Sequence, residues 1–268
     1  MERLAVIRRL AAELRLDACG VCAFDTERRP LLACRAASRL PGGARSVITV
    51  LFPYATDSDE PRNLSRYACV PDYHGAAGAV LTRFSEMLAE AFEGERFEPF
   101  IDNSPLPEVA CAVAAGLGVR GDHGLLISHL YGSYVFIGCV VTTLVLPCTE
   151  EHAVCLHCGA CAAACVGDCL PGDGRDTCAS ALSQQKRPLT AEQEARVLQS
   201  GSVWGCDRCQ EACPMNRGKR IDPHPCFTWY IPWLTRETIE PLEDKAYAWR
   251  GREVIERNLT MFEQHRGT

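Results

Sequence analysis

Residues 155–165 read CLHCGACAAAC and residues 206–214 read CDRCQEACP. No other feature of the chain restricts its fold as strongly. The first run is Cys155-x2-Cys158-x2-Cys161-x3-Cys165, the bacterial ferredoxin spacing, and the second is Cys206-x2-Cys209-x3-Cys213 followed by Pro214. Thiolates two residues apart on a tight loop hold three corners of a [4Fe–4S] cube, and the thiolate three residues on serves the other cube. By that logic one cluster takes Cys155, Cys158, Cys161 and Cys213. The other takes Cys165, Cys206 and Cys209 and needs a further ligand from between the runs, where Cys169 and Cys178 are the candidates. Cys178 is favoured, because DTCASALSQQ reads as a helix that presents it, whereas Cys169 lies in a Gly-rich turn, VGDCLPGDG. Two tetrahedral zinc sites would also use eight thiolates, but the triple run crowds its thiolates in a way that suits a cube better. His152, His157, Cys148 and Cys226 flank the motif and read as bystanders.

The runs also divide the chain. Of 17 cysteines in 268 residues, eleven fall in residues 148–226 and six in residues 1–147. The expected organisation is α+β: an α/β domain over 1–147, a ferredoxin-like double-cluster domain over 148–226, and a helical segment over 227–268 that packs back on the core. Residues 1–16 pattern as an amphipathic helix. ARSVITVLFPY (44–54) reads as a buried strand ended by Pro53. Val80, Leu81, Phe84 and Leu88 recur at helical spacing within 76–93, and 133–146 reads as a strand or a hairpin. The N-terminus lacks the unbroken apolar core of a signal peptide, and no stretch of about 18 apolar residues suggests a membrane span. A reducing, cytoplasmic setting is the expectation, and there cysteines read as metal ligands rather than disulfides. Gly116, Gly118 and Gly121 spell Gly-x-Gly-x-x-Gly, but no clear strand precedes them and no acid follows at the distance a dinucleotide site needs.

Three further segments, SRYACVPDYH (65–74), DNSPLPEVACAVAAGLGVRGDHGLLI (102–127) and SYVFIGCVVTTLVLP (133–147), together with the cysteine runs, resemble the epoxyqueuosine reductases. The resemblance continues through PGGARSVITVLFPY (41–54), WGCDRCQEACPMN (204–216) and WRGREVIERNL (249–259). Members of that family are cobalamin-dependent iron–sulfur enzymes, related in core fold to reductive dehalogenases. The resemblance implies a cobalamin in a cleft between the α/β part and the ferredoxin-like part, reduced through the clusters. It implies loss of the epoxide oxygen from a modified base in tRNA, consuming two electrons and two protons, with a low-potential donor such as flavodoxin or ferredoxin. By position, Asp102 matches the family's proton-donor aspartate and Cys178 its fourth ligand of the second cluster. Tyr73 and His74 match an Asp-Tyr-His segment and are candidates for lining the corrinoid or substrate cleft. Breaking a C–O bond leaves an oxygen that needs a proton. A carboxylic acid supplies it if burial beside an apolar macrocycle raises its pKa. The same stretch, DNSPLPE, carries helix-start signals, so Asp102 also reads as a cap.

The sequence departs from the family where AGLGVRGDHG (115–124) stands for Ala-Gly-Leu-Gly-Trp-x-Gly-Lys-Asn-Thr. Val119 replaces the tryptophan and Asp122 the lysine. It ends where longer members continue into helical repeats that contact tRNA. Lys plus Arg is 28 against 34 for Asp plus Glu, a net charge of −6, so no broad basic field awaits a polyanion. Lys186-Arg187 and Arg217-Gly218-Lys219-Arg220 are the local basic clusters. Two alternatives therefore stand beside the tRNA reading: a corrinoid iron–sulfur reductase on another substrate, and a double-cluster electron carrier without corrinoid.

Overall fold

The computed structural model describes residues 2–149, 153–170, 174 and 176–266; His152 lies outside them. In chain order, helix α1 (Glu2–Glu13) leads to strands β1 (Cys19–Ala23) and β2 (Ser46–Pro53). Helix α2 (Tyr73–Ala91), strand β3 (Phe97–Ile101), helix α3 (Glu108–Ala114), the short strands β4 (Gly118–Arg120) and β5 (Leu126–Ser128), and strand β6 (Val135–Thr142) follow. The main sheet has the order β1-β2-β6-β3 and every neighbouring pair is antiparallel.

All residues of β2 are buried. Successive side chains of a strand point to opposite faces, so a strand covered on both faces is apolar throughout. Ile48, Val50 and Phe52 pack with Ile7 and Leu10 of α1 and with Leu81, Phe84 and Leu88 of α2. Val47 and Leu51 pack on the other face with Cys111 and Ala112 of α3. The stretch at 133–146 forms one inner strand, β6, rather than a hairpin, because its two edges pair with β2 and β3. α2 approaches it closely at Gly138, where an added Cβ would lie 3.0 Å from Leu81 and Phe52.

The cysteine-rich part is built from short helices: α4 (Ala160–Ala163), α5 (Ala179–Ser183), α6 (Ala191–Ser200) and α7 (Arg208–Ala212). A further core joins three stretches of chain. Leu64, Val203, Trp204, Leu234, Tyr247 and Ile255 share it, and Leu64 bridges Trp204 in parallel. Helix α8 (Arg252–Arg266) closes the fold. Its buried Asn258 donates to the carbonyls of Ser183 and Val203 at 2.8 and 2.7 Å. Arg257 donates to the carbonyls of Gln185 and Arg187. The Arg-Asn pair thus satisfies backbone acceptors at the end of α5. Among the described residues no helix is long and apolar enough to cross a membrane.

Candidate functional site

Cys155, Cys158, Cys161 and Cys213 line one cavity. Gly159 carries a φ of +73° at the start of α4, a left-handed turn that folds the loop back between Cys158 and Cys161. Cys213 arrives from the second run, at the end of α7. Cys161 and Cys213 are buried and Cys158 is exposed. Leu156 of the lining is 62% exposed, and Val154 just before Cys155 is 77% exposed. His157 Nδ1 lies 2.8 Å from Asp122, the acid that stands where the family has lysine. With Cys155 these two form the one mixed group of potential metal ligands among the described residues.

The second set of thiols gathers around Cys209 in the first turn of α7. Cys178 stands at the start of α5, the position the sequence pattern suggested. Burial pushes the Cys209 thiol up to about 12, and Cys206, Cys178 and Cys165 add to the effect. Burial likewise raises Cys206 to about 11. Such thiols hold their protons at neutral pH, so iron must displace those protons as it binds. Donor sets made of thiols alone suit iron–sulfur or zinc and do not suit hard cations. Cys169 Sγ sits 3.2 Å from Cys165 Sγ.

One residue that ligand spacing does not pick out holds this loop in place. Asp207 is only 4% exposed. It accepts hydrogen bonds from Ser65 Oγ at 2.6 Å and from the Arg66 backbone N–H at 2.7 Å. The contact needs Gly205, with φ +75°, where an added Cβ would lie 2.5 Å from Ser65 Cβ. The second thiol set is therefore pressed directly onto the Ser65–Arg66 segment that precedes α2.

Asp102, Tyr73 and His74 come together at the end of β3. Asp102 has a φ of +49°. His74 Nε2 lies 2.9 Å from Asp102 Oδ2, and its Nδ1 lies 2.7 Å from Asp72 Oδ1. Asp72 also caps α2 by accepting from the His74 backbone N–H. Tyr73 stacks between His74 and Phe136, with centroids 4.2 and 4.1 Å away. The electrostatics reverse the expectation of a buried carboxylic acid. The Asp102 side chain is 58% exposed. His74, joined by the Tyr73 hydroxyl, holds it below the usual carboxylate range. Asp102 and Asp72 raise His74 to about 9. The proton of the pair therefore sits on the imidazole. The buried carboxyl in this cluster is Glu108, which burial and the Asp102 charge push well above its ordinary value.

A separate cavity of about 310 Å³ is lined by Thr56, Asp57, Asp59, Arg66, Tyr134 and Lys219 among others. Arg66 Nε and Thr56 Oγ1 are buried and have no hydrogen-bond partner among the described residues. The Arg66 guanidinium lies 5.4 Å over the Tyr134 ring. From Tyr134 a row of rings runs through Tyr54 and Phe136 to Tyr73, with centroid spacings of 6.1, 4.6 and 4.1 Å. The row leads from the cavity to Asp102. Two of the expected basic residues line the cavity but are engaged: Lys219 donates to the His129 carbonyl, and Arg220 pairs with Asp17 and Asp222.

Comparisons with known proteins bear on the family and the fold. Residues 35–103 match the family described as epoxyqueuosine reductase QueG, DUF1730. Residues 154–216 match a 4Fe-4S double cluster binding domain. An epoxyqueuosine reductase of Gloeobacter violaceus is 34% identical over 220 residues, 76% of this chain and 69% of the relative. One from Escherichia coli (strain K12) is 32% identical over 239 residues, 83% of this chain and 60% of the relative. The span falls to 53% of the relative for one from Listeria monocytogenes, so this chain covers between about half and about two thirds of such relatives. Among solved structures, epoxyqueuosine reductase from Streptococcus thermophilus superposes with a TM-score of 0.81 at 24% identity, covering 98% of this chain and 81% of that one. An epoxyqueuosine reductase solved with an epoxyqueuosine-modified tRNA-Tyr stem loop gives 0.82 at 22% identity, covering 98% and 82%.

Proposed function

The chain belongs to the epoxyqueuosine reductase family, and from that premise we propose that it uses two [4Fe–4S] clusters and a cobalamin to remove the epoxide oxygen of epoxyqueuosine in tRNA. The observation that carries the reading is the interleaving of the two cysteine runs, with Cys213 joining Cys155, Cys158 and Cys161 around one cavity. A fold that crosses ligands in this way sets two clusters side by side, as a relay needs.

Cluster one takes Cys155, Cys158, Cys161 and Cys213. Cluster two takes Cys165, Cys178, Cys206 and Cys209. Cys178 is taken as the remaining ligand because it opens α5 beside Cys165, Cys206 and Cys209. Electrons enter from a low-potential carrier such as flavodoxin or ferredoxin at cluster one, whose exposed Cys158 and apolar rim offer the open edge.

The chemistry of the cavity lining fits part of a corrinoid. Arg66 Nε and Thr56 Oγ1 are buried polar atoms still lacking partners, and Tyr134 lines the same cavity, linked through Tyr54 and Phe136 to Tyr73. Arg66, Thr56, Tyr134, Tyr73 and His74 would hold the group, and reduced cobalamin supplies the electrons that open the epoxide carbon–oxygen bond. The protein's own task is the proton. His74 holds one on Nε2 against Asp102 Oδ2, and Asp72 braces the ring from the other side. Asp102 relays that proton from His74 Nε2 to the departing oxygen, which leaves the imidazole neutral until solvent reprotonates it. Asp102 occupies a left-handed turn, φ +49°, immediately after β3.

The test is incubation of the anaerobically reconstituted protein with cobalamin, a low-potential reductant and epoxyqueuosine-containing tRNA. Nucleoside mass spectrometry should report loss of one oxygen. An unchanged nucleoside, with both clusters and bound cobalamin verified by absorbance, overturns the substrate assignment. Failure of cobalamin to bind the cluster-loaded protein leaves a double-cluster electron carrier as the reading.

A further inference from the structure

We propose that Cys169 is a modification site: a reserve thiol that forms a disulfide with Cys165 when cluster two is lost to peroxide, and so preserves Cys165 for rebuilding. The inference rests on the ligand set given above for cluster two.

The geometry leaves one thiol too many at this corner. Cys165 and Cys169 touch, with Sγ atoms 3.2 Å apart. A cube assigns each ligand its own iron, so two sulfurs in contact cannot both serve it. Cys169 also contacts Cys178; Cys165 has the ferredoxin spacing and Cys178 opens α5, so the ligand set given above leaves Cys169 as the spare.

Cys169 is also held where it is. Asp168, with φ +48°, turns the chain back toward Cys165. Gly174 lies against Cys169 so closely that an added Cβ would sit 2.6 Å from Cys169 Cβ, and one at Gly167 would sit 2.1 Å from the Thr177 carbonyl. Arg196 Nη1 donates to the Gly167 carbonyl at 3.1 Å, pinning the turn to α6. Both thiols are partly exposed, within reach of a small oxidant. Accessibility alone does not single Cys169 out, since Cys19, Cys34, Cys148 and Cys226 are also at least partly exposed; its contact with a cluster-ligand position does. Cys22, Cys111 and Cys139, by contrast, are 1%, 1% and 0% exposed within the sheet core.

The chemistry balances with hydrogen peroxide as oxidant. One thiolate attacks a peroxide oxygen, the O–O bond breaks, and water leaves after protonation. The resulting sulfenic acid is attacked by the neighbouring thiol, the S–O bond breaks, and a second water leaves as the S–S bond forms. Two thiols and one peroxide give one disulfide and two waters. Without the neighbour, a sulfenic acid at Cys165 proceeds to sulfinic acid, which thiol reductants do not reverse.

The experiment uses the full chain carrying both clusters. It is treated with hydrogen peroxide until the cluster absorbance is gone, then alkylated, digested and analysed by mass spectrometry. A Cys165–Cys169 disulfide should dominate. After a dithiol reductant and resupply of iron and sulfide, the native chain should regain both clusters. Cys169→Ser, which starts with the same iron content, should recover cluster two several-fold less well and carry sulfinic acid at Cys165. Free, alkylated Cys169 after peroxide, a disulfide to Cys178 instead, or equal recovery by the variant would each overturn the proposal. The ligand reading fails by a different sign: Cys169→Ser would then lack one cluster as first reconstituted, while Cys178→Ser kept both.

Discussion

Strand β2 buries all eight of its residues between three helices, whereas α4, α5 and α7 have four, five and five residues. Isolated helices shorter than about 12–15 residues are marginal in water. The sheet region therefore holds itself by apolar burial. The cluster region leans on two other supports: the shared core around Trp204 and the metal–thiolate bonds, whose binding energy is also folding energy. One chain thus contains one part stable as packing and one part stable as coordination.

Iron removal should separate the two most sharply. Anaerobic chelation should leave the amides of β2 and β6 protected in hydrogen exchange while residues 153–216 lose protection. Equal loss in both regions would make them one cooperative unit and end the distinction. Next in size is Cys213→Ser. It should lower iron from about eight to about four per chain, since one cube of two is lost, with the sheet unaffected by far-ultraviolet circular dichroism. Loss of all iron would show that neither cluster stands without the other. Trp204→Ala attacks the second support. The ring is fully buried against Tyr247, with centroids 6.0 Å apart, and its removal should cost about 3–5 kcal/mol in denaturant unfolding of the cluster-loaded protein. Asn258→Ala should cost less, about 1–3 kcal/mol, by leaving the Ser183 and Val203 carbonyls unpaired.

The same contrast explains what could be read from residues alone. β2 was legible because a strand covered on both faces writes itself as an unbroken apolar run. The thiol groups were legible because ligand spacing is local. β3 was not, since FEPFI is an edge strand whose Pro99 and Glu98 break the pattern. Asp207 was missed because its partner Arg66 lies 141 residues away. Glu108 showed only as a helix-start residue, because its raised pKa comes from burial and from the Asp102 charge. The direction of the Asp102 shift was misread for the same reason. His74 faces it from 28 residues earlier, and nothing in DNSPLPE announces that.

That reversal supplies the subtlest test, at the junction of the two regions. His74 is raised to about 9 and Asp102 is lowered. The ion pair therefore persists from below the ordinary carboxylate range up to about pH 9. Its stabilisation is fully present below the unfolded histidine value of about 6.5 and fades as pH rises through about 9. If the proton delivered at Asp102 comes from His74, turnover should fall along a basic limb near pH 9. Asp102→Asn should keep iron and cobalamin and lose turnover. His74→Gln removes the reservoir and lets Asp102 return toward about 4, so the limb should move to acid by several pH units while cluster content stays the same. A basic limb unmoved in His74→Gln would mean that Asp102 draws its proton elsewhere. The buried Glu108 carboxyl is then the next group to replace, because it is the other acid that senses the Asp102 charge.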